Sequence, residues 1–134
     1  SAVFSCKEKT MRRNRASAKK AGAKFERDIA DTLAKYIDDR IDRRVKTGAK
    51  DCGDIANLRT AWNDKITVEC KNTARLNIGG WLKEVERERI NDDAYIGVVM
   101  FKRHGIADPL EQCVMMTVRN FIKLNDGKID GDAL

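Results

Sequence analysis

The chain has 134 residues, of which 42% are hydrophobic and 36% charged, and its formal net charge at pH 7 is +6. This length supports one domain with a single core, which we expect to span residues 16–134. No apolar run approaches the length of a membrane span and no signal peptide is recognisable, so we expect a chain that does not cross a membrane.

The four cysteines, Cys6, Cys52, Cys70 and Cys113, form no CxxC pair and show no zinc-binding spacing. A reducing compartment fits this usage best, so we expect a cytoplasmic protein. Cys70 lies on the apolar side of a predicted strand, and we interpret it as a small buried thiol.

The net charge comes from residues 7–20, which hold seven basic residues and one acidic residue, while the rest of the chain is neutral. We expect residues 1–15 to form a flexible basic arm that contacts a polyanion, because phosphate contacts release counterions. The alternative is a solvated tail that keeps the protein soluble. Because Met11-Arg-Arg-Asn resembles a natural start, residues 1–10 are candidates for a vector or upstream remnant.

A helical pattern covers about residues 17–39. The apolar positions that share its stripe are Phe25, Ile29, Leu33 and Ile37. Glu26 falls inside this stripe, where a carboxylate must be paired, hydrogen-bonded or bound to a cation, because burying it alone is costly. On the helical wheel alone, an edge position with the head group in solvent or on an arginine is the commoner case.

After a strand predicted at about 43–47 and a loop at 47–50, two short runs with strand character occupy residues 54–58 and 65–72. A polar turn at Asn63-Asp64 joins them. In the second run a strand's period of two separates two sets of side chains. One set is Ile66, Val68 and Cys70, and the other is Thr67, Glu69 and Lys71.

If these two runs pair as a hairpin, Asp54 lies close to Glu69 and Lys71. Two carboxylates at a sheet edge form a site for a hard cation, and a lysine beside them suits metal-assisted hydrolysis of a phosphodiester. Asp51 competes with Asp54 for the metal role. We favour Asp54 because apolar Ile55 follows it into a strand, whereas Asp51 sits in the loop.

Beyond this hairpin we predict a helix at 81–89, with Trp81, Leu82 and Val85 inward. Its KEVERER segment is interpreted as a solvated face with local ion pairs. A near-continuous apolar strand at 95–102 suits the middle of a sheet. It ends in a basic loop whose His104 is a candidate for phosphate contact or proton transfer, although a surface histidine is the commoner case.

A strand at 113–118 and a short helix at 119–124 complete the predicted elements. Their order, α–β–β–β–α–β–β–α, predicts an α/β fold with a central mixed β-sheet flanked by helices.

Asp54 followed by Glu69-Cys70-Lys71 resembles the D…(D/E)xK pattern of the PD-(D/E)xK nuclease superfamily. Within it the chain is similar to the archaeal-type Holliday junction resolvases and their phage relatives. The features that carry this likeness are Glu26, the Arg-x-x-x-Gly run at 44–48, Gly53-Asp54-Ile55 and Glu-Cys-Lys-Asn at 69–72. It extends from about residue 22 to 124. Cys52-Gly53 stands where the family pattern has a proline before the aspartate.

The resemblance implies a restriction-endonuclease-like core and a Mg²⁺-dependent endonuclease, with Mn²⁺ as a substitute, that cuts branched double-stranded DNA in recombination and repair. Asp54, Glu69 and the Cys70 backbone carbonyl would bind the metal. Glu26 would act directly, through water or on a second ion, and Lys71 would orient or deprotonate the attacking water. The residues expected to contact DNA are Arg12, Arg13, Arg15, Lys19, Lys20, Arg44, Lys46, Thr47, Lys50, Lys102, Arg103 and His104.

Because a four-way junction has approximate twofold symmetry and needs two matched nicks, we expect a C2 homodimer. Candidate interface residues are Trp62, the turn between the two motif strands, and the apolar residues of the last strand and helix. A flap, fork or restriction-type nuclease is the alternative enzyme. A DNA-binding module that keeps the fold without catalysis is the alternative outside enzymes.

Overall fold

The computed structural model describes residues 14–48 and 50–132. Most of the predicted basic arm, including Arg12 and Arg13, lies outside the described residues. The first helix, α1, spans Arg15–Tyr36 and therefore begins inside the segment predicted to be a flexible arm. Asn14 caps it, since its side-chain oxygen accepts the Ser17 amide at 2.8 Å.

The apolar stripe of α1 packs on the core, where the predicted Phe25 and Ile29 are buried and Leu33 is partly buried. Ile37 is the exception. The helix ends at Tyr36, so Ile37 is the C-cap residue and its side chain is 59% exposed.

Within the described residues, five strands form one mixed sheet. They are β1 (Asp42–Arg43), β2 (Ile55–Ala56), β3 (Ile66–Lys71), β4 (Ile96–Phe101) and β5 (Cys113–Met115). Their spatial order follows their order in the chain. The pair β3–β4 is parallel, and the pairs β1–β2, β2–β3 and β4–β5 are antiparallel. A parallel pair at the centre of an otherwise antiparallel sheet requires a crossover connection, and the second helix supplies it.

The predicted hairpin between the two motif strands is present. Ile55 pairs with Val68, and the Asp54 amide donates to the Val68 carbonyl at 2.8 Å. The turn residue Asn63 has a φ of 70°, a left-handed conformation that asparagine tolerates. This pairing places Asp54 directly before the first residue of β2 and beside Cys70, near the last residues of β3.

The strand predicted at 43–47 is shorter in the structure. Its last ladder contact is the Arg44 amide, which donates to the Asp54 carbonyl at 2.8 Å. Gly53 precedes Asp54 with a φ of 94°, so the partner strand turns away and the ladder ends there.

The second helix, α2, spans Ile78–Asn91 and starts earlier than predicted because Asn77 caps it, its side chain accepting the Gly80 amide at 3.1 Å. The third helix, α3, spans Val118–Leu124, and Thr117 caps it. The predicted strand at 113–118 therefore stops at Met115. None of the described helices has both the length and the apolar character needed to cross a membrane.

Helices cover both faces of the sheet. The larger cluster joins α1 to one face through residues such as Phe25, Ile29 and Val68. The smaller cluster joins α2 to the other face through Trp81, Val85 and Val99. Because β3 lies between these layers, its first four residues are all buried, and the side chains that alternate along it reach two different helices. The predicted α/β fold is confirmed.

Candidate active site

A close approach of two chain segments positions Asp54. A Cβ at Gly53 would lie 2.8 Å from the Val68 carbonyl oxygen and 3.0 Å from Cγ2 of Thr67. Only glycine fits this space, and its φ of 94° is also strained for other residues. The chain can therefore run tightly against β3 just before Asp54.

Both carboxylate oxygens of Asp54 have partners, and the side chain is only 3% exposed. Oδ2 accepts the Cys70 amide at 2.9 Å, and Oδ1 lies 3.1 Å from Nζ of Lys46. Burial raises the pKa of Asp54, but hydrogen bonds with Glu69, the Cys70 amide and Lys46 outweigh it and lower the pKa. Asp54 is therefore an ionised carboxylate at neutral pH.

Glu69 and Glu88 form a buried acidic contact between β3 and α2. Glu69 is 5% exposed and Glu88 is 0% exposed. Among the described residues, no group donates a hydrogen bond to Oε2 of Glu69 or to either oxygen of Glu88. Burial, and then the carboxyl groups of Asp54 and Glu88 within hydrogen-bond reach, raise the pKa of Glu69 to about 12. Two carboxyl groups in this position need a shared proton or a cation between them.

Asp51 extends this acidic contact towards solvent. Asp51, Glu69 and Glu88 each offer a carboxylate oxygen, and these three oxygens lie within 4.8 Å of one another. Asp51 itself is exposed. Asp54 was preferred over Asp51 for the metal role, but carboxyl oxygens of both aspartates lie close to Glu69 in the structure.

Glu26 of α1 completes the acidic site on the side opposite α2. Its Oε2 accepts two hydrogen bonds from Arg43, from Nε at 3.2 Å and from Nη2 at 2.8 Å. Burial and the neighbouring Asp54 carboxylate raise the pKa of Glu26, and Arg43 partly offsets them. Glu26 is therefore paired with an arginine and also adjoins Asp54.

Lys71 points towards α2 and pairs with Glu84. The Nζ atom lies 3.0 Å from Oε1 and 2.9 Å from Oε2 of Glu84. Burial lowers the pKa of Lys71, but the hydrogen bond to Glu84 and the other nearby carboxylates outweigh it and raise the pKa.

Cys70, between Glu69 and Lys71, packs its side chain against the core below α1, and burial raises the pKa of its thiol. Cys70 was expected to be a small buried thiol, and in the structure it is partly buried.

The prediction that the KEVERER face is solvated was wrong for two of its members. Glu84 pairs with Lys71, and Glu88 is fully buried. The sequence contained a signal for Glu88. It follows Trp81 by seven residues and therefore falls about 20° from it on the helical wheel, inside the apolar stripe. The same criterion that singled out Glu26 would have identified Glu88.

Solvent exposure differs among the residues that were predicted to contact DNA near the N-terminus and in the 44–50 segment. Arg15, Lys19, Lys20, Thr47 and Lys50 are exposed. Lys46 also keeps 63% of its side chain exposed while it pairs with Asp54. Arg44 is half-buried and pairs with Asp92 at 3.1 Å. A groove of about 470 Å³, lined by residues 44–48 and 50–53, opens between these groups.

The basic loop after β4 is stabilised by hydrogen bonds within the loop and contacts the loop after β3. Lys102 is half-buried and donates to the carbonyls of Arg103 and Ile106. Arg103 is exposed and donates to the Glu111 carbonyl at 3.2 Å. Nε2 of His104 lies 2.7 Å from the Thr73 carbonyl. Because β3 and β4 are parallel, this loop lies at the same sheet edge as Lys71.

The mixed sheet between helices, with buried carboxylates and a lysine at the end of its central hairpin, defines an α/β domain with a restriction-endonuclease-like core. The profile of the family described as "Phage putative PDDEXK endonuclease" matches residues 17–126, and the chain belongs to this family. This match confirms the PD-(D/E)xK superfamily. Comparisons with curated proteins and with solved structures gave no match.

Proposed function

We propose that the protein is a Mg²⁺-dependent endodeoxyribonuclease that cuts branched double-stranded DNA, with the Holliday junction as its preferred substrate. The observation that supports metal-dependent hydrolysis best is the buried Glu69 oxygen, which has no donor among the described residues and lies beside the ionised Asp54. A hard divalent cation satisfies both carboxylates at once.

The donor set fits Mg²⁺ or Mn²⁺, because all of its atoms are oxygens. Asp54 and Glu69 would hold the ion together with the Cys70 carbonyl, and Glu26 would act beside them. When bound, such an ion supplies Lewis-acid stabilisation of the charge that develops on the phosphate. Without it, this acidic group would repel a DNA backbone.

The contacts of the basic residues around the site support the roles that we propose for them. Lys46 neutralises Asp54 in the structure through a largely exposed side chain, so it is free to move to a phosphate once a cation binds Asp54. Glu84 holds the Lys71 ammonium at the end of β3, where Lys71 would orient the attacking water. The exposed basic residues of α1 and the 44–50 segment would contact the DNA backbone.

We propose a C2 homodimer for the paired nicks that a junction requires. Apolar side chains remain exposed at the edge strand β5 and on α3, and Trp62 is exposed in the hairpin turn. The exposed fractions are 54% for Val114, 75% for Val118, 57% for Phe121 and 61% for Trp62. Light scattering should report about twice the chain mass of 15.2 kDa, whereas a strict monomer, free and on junction DNA, would contradict the resolvase assignment.

Substrate choice is tested by cleavage of a four-way junction beside a flap, a fork and a linear duplex of the same sequence, each with Mg²⁺ or with EDTA. We expect symmetric nicks in the junction, with Mg²⁺ only, and slower cutting of the other three. Faster cutting of the flap or fork would replace the resolvase with a flap or fork nuclease. Cutting of none, by a folded protein that binds the junction, would favour the non-catalytic module.

A further inference from the structure

Glu88 is a buried carboxyl group that the proposed Asp54 site does not use. It lies on α2 rather than on the hairpin, it is 0% exposed, and neither of its oxygens accepts a hydrogen bond from the described residues. A glutamate without a donor is costly to bury, so its position requires compensation. Among the described residues, the carboxyl group of Glu69 lies within hydrogen-bond reach of it, and the charges of Asp51, Glu84 and Lys71 also act on it.

The surrounding chain is built to bring Asp51 to this glutamate. The side chain of Asn91, near the end of α2, donates to the Asp51 carbonyl at 2.9 Å and ties the loop to the helix. The Gly53 amide donates to Oδ1 of Asp51 at 2.9 Å and fixes the carboxylate direction. Asp51 thus stands where α2, β3 and the 44–53 segment meet.

Three carboxylates from three separate elements consequently converge, with one oxygen from each of Asp51, Glu69 and Glu88 within 4.8 Å of the others. Such spacing suits oxygen ligands around one divalent cation, since Mg²⁺–oxygen bonds are about 2.1 Å long. Asp51 also lines the open groove that faces solvent, which provides an entry path for an ion. The unpaired oxygens of buried Glu88 are the independent sign that a ligand belongs there.

We propose that Asp51, Glu69 and Glu88 form a second divalent-cation site, which shares Glu69 with the Asp54 site. The inference rests on the proposed function in that Glu69 is assigned there to the first ion. The competing explanation is that Glu69 and Glu88 share a proton and bind no metal. The two explanations differ in the number of cations that one chain binds.

The test is a titration of the full chain with Mn²⁺ in the absence of DNA, with free Mn²⁺ followed by its electron paramagnetic resonance signal. We expect two Mn²⁺ ions per chain for the wild type, displaced by excess Mg²⁺. Glu88→Gln should weaken one of the two sites by at least about tenfold, because replacing a direct ligand should cost no less than altering a supporting group. The matched control is Glu86→Gln on the same helix, where the side chain is 49% exposed and pairs with Arg89; this variant should bind two ions.

Asp51→Asn tests the same site if Glu88→Gln does not fold. This variant should fold, because Asp51 is exposed and the asparagine oxygen can still accept the Gly53 amide. It should weaken the same site, while Asp54→Asn should weaken the other one. Two ions of unchanged affinity in a folded Glu88→Gln variant, or a single ion in the wild type, would overturn the second site. A wild type that binds two Mn²⁺ but cuts no DNA would contradict the proposed function and leave the second site standing.

Discussion

Removing divalent cations should destabilise the fold, because the acidic site gathers carboxylates that have few donors. The three oxygens of Asp51, Glu69 and Glu88 lie within 4.8 Å of one another. At an effective dielectric constant of about 20, two unit charges at that separation repel by roughly 3 kcal/mol. Without a metal, a proton on Glu69 reduces this electrostatic repulsion. Burial and the acidic neighbours raise the pKa of Glu69 to about 12.

A bound cation removes the repulsion and binds only the folded state. At a free Mg²⁺ concentration of about 100 times the dissociation constant, mass action stabilises the fold by about 2.7 kcal/mol. In a domain of this size, about 1 kcal/mol shifts Tm by roughly 3–4 °C, so the shift should be about 10 °C. The measurement is thermal unfolding by circular dichroism in EDTA and in Mg²⁺ at equal ionic strength.

Glu69→Gln should lose most of the Mg²⁺ shift, because Glu69 adjoins both Asp54 and Glu88. Glu86→Gln, which lies outside the acidic site, should keep the full shift. Equal Tm values in EDTA and in saturating Mg²⁺ for the wild type would refute the reasoning. A shift of the same size in Glu69→Gln would show that the ion binds elsewhere.

Three further changes test other contacts. Ile55 is 0% exposed, so Ile55→Ala should lower the free energy of unfolding, measured in urea, by about 2–5 kcal/mol. Ile90 is 63% exposed, so Ile90→Ala should lower it by less than about 0.5 kcal/mol. Equal losses in the two variants would contradict the packing. Glu84→Gln should lower kcat about tenfold or more without changing Mn²⁺ binding, because it frees Lys71; an unchanged kcat would remove Glu84 from the site. Residues 1–13 carry a net charge of +3, so their deletion should weaken binding to the junction. The slope of the logarithm of the binding constant against the logarithm of salt concentration should become shallower by about 0.9 for each lost phosphate contact. An unchanged slope would show that this segment does not contact DNA.

The hairpin and its three motif residues were predictable because local rules determine them. Alternation along β3 separates Glu69 from Val68, and the polar turn at Asn63 sets the antiparallel return. Glu26 could be singled out because a carboxylate inside an apolar stripe is unusual at any position. These signals lie within single elements and do not depend on how the elements pack.

Glu84 and Glu88 of α2 were missed because the KEVERER segment has many charged residues, as a solvent-exposed helix face does. Only the crossover from β3 to β4 places that face over the sheet, and a short sequence window contains no information on the crossover. The pairing of Lys46 with Asp54 was hidden for a similar reason. It depends on the turn that Gly53 makes against β3, which is a contact between distant parts of the chain.

The most direct test of the central claim is Mg²⁺-dependent cleavage of a fluorescent four-way junction by the wild type and by Asp54→Asn, with folding of both confirmed by circular dichroism. Asn at this position keeps the shape of the side chain and an oxygen that can accept the Cys70 amide, so the fold should survive. We expect nicks from the wild type with Mg²⁺, none with EDTA, and none from Asp54→Asn with either. Cleavage by a folded Asp54→Asn variant at the wild-type rate would contradict the assignment of this site.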